Sequence, residues 1–449
     1  MLDLLMKDIL GTPAILVGLF ALIGLLLQRK SAADTVSGTL KTVMGFFILS
    51  AGAGVITGTL DFFGKMFEKG FHIQGVIPNN EAIVALAQKT FATETAMIML
   101  FGMIVNIILA RFTRFRYIFL TGHHTLYMAC MIGVILSTGG IKGVPLVVIG
   151  SIILGLLMVL MPALLQPTVR KITGSDDIAV GHFGSVGYFV SGLVGKYLGN
   201  PKKSSEDVKV PKGLGFLRDT SVAISLTMAI MFFVVAFAAG KSFIESQLSG
   251  GQNFIVFAIT QAITFAAGVY IVLAGVRLVI AEIVPAFKGI ADKIVPNATP
   301  ALDCPAVFPF APNAVIIGFL ASFVAGVLSM FLLPLFGLKV IVPGLVPHFF
   351  TGATAGVFGN ATGGRRGAVL GSFANGLIIS FLPALLLPVL GSLGFQGTTF
   401  GDADFGAVGI IFGNLIKLTP VLVYVIPIIV VILLVVLGII KNNKEKTAA

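Results

Sequence analysis

The chain has 449 residues, of which 57% are hydrophobic and 11% charged, and it carries a formal net charge of +11. That balance excludes every soluble class and leaves a polytopic membrane protein. The positive charge does not point to nucleic acid, because the Lys and Arg residues are spread over short loops between apolar runs, which is a topology signal. The apolar runs are long and unalternated, as from Val421 to Ile440. The spans are therefore helices, not the alternating strands of an outer-membrane barrel, and the expected fold class is all-α.

Taking about 20 apolar residues per crossing, spans are expected near 13–28, 42–60, 93–110, 118–138, 144–164, 220–239, 254–275, 313–336, 340–358, 367–390 and 421–440, about eleven in all. Residues 1–12 have mixed charge, and the first run ends at Gln28-Arg29-Lys30 without a small-residue cleavage pattern. The first span is thus expected to stay in the mature protein. Basic loops at 28–41, 111–116, 170–171, 196–218, 277–293 and 365–366 and the tail 441–446 should be cytoplasmic, with the amino terminus outside and the carboxyl terminus inside.

Segments 61–90, 166–195, 281–311 and 391–419 are too long for turns and too apolar for exposed loops. Broken backbone at membrane depth requires surrounding protein or a watery cavity, so re-entrant hairpins and amphipathic surface helices are expected there. Residues 200–212 (NPKKSSEDVKVPK) read as a soluble linker between two halves. The organisation expected is a first half at 1–199, a linker at 200–218, a second half with the final helix at 219–440 and a tail at 441–449. Three motifs recur in order: Ile77-Pro78-Asn79 as Val295-Pro296-Asn297, Phe119-Leu120-Thr121-Gly122 as Phe349-Phe350-Thr351-Gly352, and Phe183-Gly184-Ser185-Val186-Gly187 as Phe405-Gly406-Ala407-Val408-Gly409. An odd number of spans between the copies makes the second inverted, an arrangement typical of alternating-access transporters.

Polar groups at membrane depth mark substrate paths. Leu120 to Tyr127 (LTGHHTLY) puts hydroxyls and titratable rings in an apolar run. His123 and Tyr127, four apart on a helix, share a face and are expected to line a cavity, whereas His124 should point elsewhere. Gly181-His182-Phe183-Gly184 is either a ligand loop, with backbone amides free to contact a solute, or a tight turn with a structural histidine. Asp303, at a break before Cys304-Pro305, can accept two hydroxyls of a polyol or cap a short helix. Glu81, in Asn79-Asn80-Glu81, is either part of the same site or solvated. Glu282 and Asp292 read as the solvated face of a surface helix. Cys130 and Cys304, in apolar surroundings, carry no metal-ligand spacing and no expected redox role. No Gly-rich phosphate loop, metal-binding His/Glu motif or nucleophile elbow is present, so neither a cofactor nor a metal is expected. An ion-coupled secondary transporter of a small polar solute would show the same features, and an intramembrane enzyme is a weaker alternative.

Gly75-Val-Ile-Pro, Leu120-Thr-Gly-His, Val180-Gly-His, Glu206-Asp-Val-Lys, Ala301-Leu-Asp-Cys, Phe310-Ala-Pro-Asn-Ala-Val and Pro343-Gly-Leu-Val-Pro together resemble the ascorbate-type enzyme IIC permeases of the phosphoenolpyruvate-dependent phosphotransferase system. The resemblance runs from the first span to the last. It implies a homodimer in the bacterial cytoplasmic (inner) membrane, each protomer with a scaffold and a mobile elevator core built from inverted repeats. It also implies cytoplasmic partners, an enzyme IIB phosphorylated by a IIA, that phosphorylate the solute as it is presented. The chain stops shortly after the last span, so these partners are expected to be separate proteins. Substrate contacts map to Asn80, Glu81, His123, Tyr127, His182, Phe183 and Asp303. Where the pattern has a Thr-Tyr pair this chain has Asn80-Glu81, and where it has glutamines this chain has Tyr127 and Phe183. An added carboxylate disfavours the ascorbate anion and aromatic faces suit a sugar ring, so the expected substrate is L-ascorbate or a related neutral sugar or polyol.

Overall fold

The computed structural model describes residues 12–72, 75–208, 220–391 and 398–448. The helices in chain order are α1 (Pro13–Leu27), α2 (Ala32–Phe71), α3 (Asn80–Phe112), α4 (Gly122–Thr138), α5 (Gly143–Thr173), α6 (Ser185–Leu198), α7 (Thr220–Ala239), the single turn α8 (Lys241–Phe243), α9 (Phe254–Lys293), α10 (Pro312–Leu332), α11 (Leu345–Leu386), α12 (Ala403–Leu418) and α13 (Pro420–Ala448). Five very short strands lie between them: β1 (Ile77–Pro78), β2 (Tyr117–Phe119), β3 (Ala179–Val180), β4 (Thr299–Leu302) and β5 (Thr398–Thr399). The protein is a polytopic, helical membrane protein. Among the described residues, seven helices are long and apolar enough to cross a bilayer, or eight if α7 and the bent segment after it count as one span.

The expected number of crossings was larger, and the difference falls on short or folded elements. Helix α1 has 15 residues and α4 only 17, because the apolar run before α4 is used as strand β2. Helix α11 is two helical arms that double back at Gly363 and Gly364, where the helical dihedrals fail. The Ser372 hydroxyl donates to the Gly352 carbonyl at 3.1 Å, and the Asn375 amide donates to Thr351 at 3.2 Å. In a straight helix 20 residues would separate such partners by about 30 Å. Gly364 sits at φ +59°, and a Cβ there would lie 2.2 Å from the Lys203 carbonyl oxygen, so only glycine makes this tip. The amphipathic surface helix expected over 277–293 is the end of α9, which continues as one helix to Lys293. At 40 residues, about 60 Å, α2 and α9 each outreach a bilayer core of about 30 Å.

The segment read as a linker is packed where it is described. The Asn200 amide donates to the Gly363 carbonyl at 2.7 Å, and the Asn360 side chain accepts from the Ser205 amide at 2.8 Å. Glu206 accepts from the amides of Asn313 and Ala314 at 3.1 and 3.0 Å. A carboxylate thus satisfies the first amides of α10 from far along the chain.

The helices pack in two groups. In one, α1, α2, α7 and α9 lie against each other; in the other, α3 to α6 and α10 to α12 do, with α13 applied to α3, α5 and α12. Aromatic edges join the groups, as where Phe63 of α2 meets Phe232 of α7 at 5.3 Å and Phe323 of α10 at 6.0 Å. Helix α13 turns Val421, Val425, Ile428, Ile429, Ile432 and Leu433 outward, as an acyl-facing helix must.

Among the described residues, all strand pairing is parallel. Strand β4 lies between β2 and β3, with Phe119 opposite Ala301 and Val180 opposite Leu302. Strand β1 pairs with β5, Pro78 opposite Thr399, and Val76 bridges Ile341 just before α11. These pieces spend the backbone groups of the broken segments within the protein, as membrane depth demands.

Candidate functional site

The sheet registers determine which side chains meet. Strand β4 ends at Leu302, so the next residue, Asp303, leaves its carboxyl end and caps the following 3₁₀ turn, accepting from the Cys304 amide at 2.7 Å. On one side β2 leads through Thr121 into the first turn of α4, which bears His123 and His124. On the other, β3 leads into Gly181-His182. The Gly181 amide donates to Leu302 at 2.7 Å, and a Cβ on Gly181 would lie 2.7 Å from the Ala301 carbonyl oxygen, so the close approach requires glycine. The second pair of strands delivers the opposite wall. Asn80 begins α3 after β1; its side chain donates to Asp402 at 2.9 Å and accepts from the Gly401 amide at 2.8 Å.

These elements enclose a cavity of about 210 Å³ lined by Asn79, Asn80, His123, His124, Tyr127, His182, Asp303, Cys304 and Asp402, with apolar walls from Pro305, Val346, Pro347 and Phe350. Its remaining side is α2, through Phe46, Leu49, Ser50, Ala53 and Thr57. The titratable groups thus come from one helix group, and the facing wall, apolar apart from Ser50 and Thr57, from the other. A second cavity, about 460 Å³, shares Thr57, Asn79, Val346 and Pro347 with the first and is bordered by Asp61, Lys65 and Glu68.

The histidines and carboxylates face each other without closing on each other. Nε2 of His123 is 3.5 Å from Asp303, Nε2 of His182 is 3.9 Å from Asp303, and Nε2 of His124 is 4.0 Å from Asp402. Such separations are at or beyond the limit of a hydrogen bond, so these histidines and carboxylates do not pair off with one another across the cavity. The rings of His124 and His182 are 3.8 Å apart, and Nδ1 of the buried His124 has no partner. Leaving a buried polar atom unpaired costs about 1–3 kcal/mol.

Asn80, His123, Tyr127, His182 and Asp303 are therefore brought together. Phe183 is not on the cavity; it is fully buried, stacked on Phe119 at 4.9 Å and beside Phe405 at 6.0 Å. The side chain of Glu81 lies outside what is described. The Gly181 and Gly184 amides are spent within the protein, so this turn offers a ligand a side chain more than its backbone. His124, expected to point away, also lines the cavity. The reason is that α4 aims its first turn at the space, so consecutive side chains splaying from a helix end both reach it.

Reading the sequence also missed Asp402. The motif Gly401-Asp402-Ala403-Asp404 carries two carboxylates in an apolar segment, a signal that the rule for intramembrane charge would have caught. Asp404 is structural, accepting from the Ser185 and Val186 amides at 3.0 and 2.8 Å to begin α6. Asp176 is a surface brace held by Arg170 at 2.8 Å. Although no metal motif exists in the sequence, folding gathers, among the described residues, three overlapping sets of donor atoms, each within 4.8 Å: His123, His124 and Asp303; His124, His182 and Asp402; His182, Asp303 and Cys304. The same density of alternating donors and acceptors suits a small polyol.

A buried, polar cavity at the meeting of two helix groups in a polytopic membrane protein defines a permease-like site. Residues 8–404 match the EIIC-GAT family, the PTS system sugar-specific permease component, and the chain belongs to that family. It is also 30% identical over 422 residues to the ascorbate-specific PTS system EIIC component of Mycoplasma pneumoniae. The alignment covers 81% of this chain, and the chain spans about 63% of that relative's length.

Proposed function

We propose that the protein translocates L-ascorbate or a related sugar or polyol across the bacterial cytoplasmic membrane and presents it to a cytoplasmic enzyme IIB, itself charged by a IIA, for phosphorylation. The observation that carries this reading is the cavity, where the side chains of His123, His124, His182, Asp303 and Asp402 converge among apolar helices. Family membership gives the solute class, and the name of the Mycoplasma relative favours ascorbate.

The order and pairing of the elements support an elevator mechanism between inverted repeats. In the first half α2 is followed by β1, the kinked α3, β2, the hairpin α4–α5 over Gly139-Gly140, then β3 and α6; in the second α9 is followed by β4, a 3₁₀ turn with α10, the Ile341 bridge, the α11 hairpin, then β5 and α12. Pairing is reciprocal, since β4 joins β2 and β3 while Val76 and β1 join Ile341 and β5. That exchange supports two interlocked repeats forming one transport core. In this pairing Asn79 corresponds to Asp303, each just after its strand, whereas Asn297 precedes β4; the sequence motif Ile77-Pro78-Asn79 is therefore out of register with its apparent copy. The helices α1, α2, α7 and α9 serve as scaffold, with α2 as the surface along which the core and its solute move. With the amino terminus outside, the adjoining cavity past Asp61 and Glu68 is the external approach. The homodimer rests on the family resemblance.

The solute is identified by titrating purified protein with L-ascorbate, pentoses, hexoses and polyols, repeated with Glu81→Gln. Phe183 offers the solute no face, so a preference for a neutral ring would have to come from Tyr127 and the carboxylates. Ascorbate binding that is tight and insensitive to Glu81→Gln assigns the anion, whereas selective polyol binding assigns a neutral substrate. Saturable binding of none of them overturns the proposal.

A further inference from the structure

His182 faces the cavity through Nε2, and what that atom can offer depends on where the ring proton sits. The other nitrogen decides it. Nδ1 accepts from the Gly184 backbone amide at 3.1 Å. A backbone N–H only donates, so Nδ1 carries no proton, and in the neutral ring the proton is on Nε2. The Tyr188 hydroxyl lies 2.8 Å from the same Nδ1. At that distance two unprotonated atoms would repel, so the phenol donates as well. Thr354, whose hydroxyl neighbours Tyr188, directs its own proton to the Phe350 carbonyl at 2.7 Å. Were Tyr188 to donate to Thr354 instead, His182 would have to place a proton on Nδ1, directly against the Gly184 amide.

Tyr188 is fully buried, with its ring 5.6 Å from Phe358, and it does not line the cavity. It reaches the site through His182 and through a side-chain contact with the Cys304 thiol, and only the first of these bears on the His182 tautomer. On the other side of the imidazole, Nε2 lies 3.9 Å from Asp303 and opens on the cavity wall. We propose that Tyr188 is a positioning residue that, together with the Gly184 amide, locks His182 as a donor facing the solute. The site then offers a fixed N–H donor beside the carboxylate acceptor of Asp303. The group recognised is an acceptor oxygen next to a hydroxyl, as on adjacent carbons of a sugar, polyol or enediol. This rests on the cavity being the solute site.

The test uses full-length protein labelled with ¹⁵N-histidine, which contains five histidines. The His182 signal, identified by its loss in His182→Gln, should show the Nε2–H tautomer in the unsubstituted protein; in Tyr188→Phe, where only the Gly184 amide still holds Nδ1, the Nδ1 resonance should shift as the phenol's hydrogen bond is lost. Binding of L-ascorbate and of xylitol is titrated in parallel. Whichever probe binds should bind about threefold to tenfold more weakly to Tyr188→Phe, the effect of one neutral hydrogen bond. A proton on Nδ1 in the unsubstituted protein, or an unaltered His182 signal with unaltered affinity in Tyr188→Phe, would overturn the lock. If the site itself is misread, His182→Gln and Asp303→Asn also leave affinity unchanged; if only the lock is wrong, those two weaken binding and Tyr188→Phe does not.

Discussion

Replacing Asp303 by Asn removes one charge while keeping nearly every atom. The Oδ1 atom that accepts from the Cys304 amide at 2.7 Å survives in the amide, so the 3₁₀ turn keeps its cap and the fold should hold. What is lost is the charge of the carboxylate facing His123 at 3.5 Å and the cavity. A hydrogen bond to a charged group is worth about 1.5–3 kcal/mol, so solute affinity should fall roughly tenfold to a hundredfold. The assay is isothermal titration in detergent or nanodiscs, alongside a thermal melt. Asp303→Ala removes the cap as well and should lose about another 1 kcal/mol of stability. Unchanged affinity in Asp303→Asn, with an unchanged melt, would refute the assignment of this carboxylate to the solute.

Other substitutions test other parts. Phe183→Ala should cost about 3–5 kcal/mol of stability, read by denaturation, with the order of solute preference preserved, because the ring packs on Phe119 and Phe405 away from the cavity. Gly364→Ala should lower stability by at least about 1–2 kcal/mol, since alanine is strained at φ +59° before its clash with Lys203 is counted; a melt identical to the parent's would contradict the hairpin. The hydrogen bond from Arg170 holds the Asp176 carboxyl below its usual value of 3.8. A depressed carboxyl stabilises above its unfolded pKa and loses that contribution as pH falls through the folded value, so any deficit of Asp176→Asn at neutral pH should shrink in acid. For so exposed a pair the deficit should stay under about 1 kcal/mol.

Most spans were legible because a run of apolar residues reads directly as a crossing. Helices α1, α3, α5, α7, α10 and α13 overlap the expected segments closely. The small sheets were not legible. Ile77-Pro78 and Thr398-Thr399 are too short to show a period, and their pairing spans more than 300 residues, so nothing local announces it. The site was half visible for the same reason. His123, His182 and Asp303 stood out as polar groups at breaks, whereas the position of Phe183 in the core and the reach of His124 depend on tertiary direction. Glu206 looked like part of a charged linker until the distant start of α10 was brought to it. Asp402 carried a readable signal that motif reading passed over.

The most direct measurement is uptake of radiolabelled L-ascorbate and xylitol by cells that express this chain with or without its cognate enzymes IIA and IIB, followed by identification of the internal product. The expected result is accumulation of a phosphorylated solute only when IIB is present, strongly reduced by Asp303→Asn and His182→Ala. Concentrative accumulation of unmodified solute without IIB, driven by a proton or sodium gradient, would contradict the phosphotransfer-coupled reading and assign the cavity to an ion-coupled transporter.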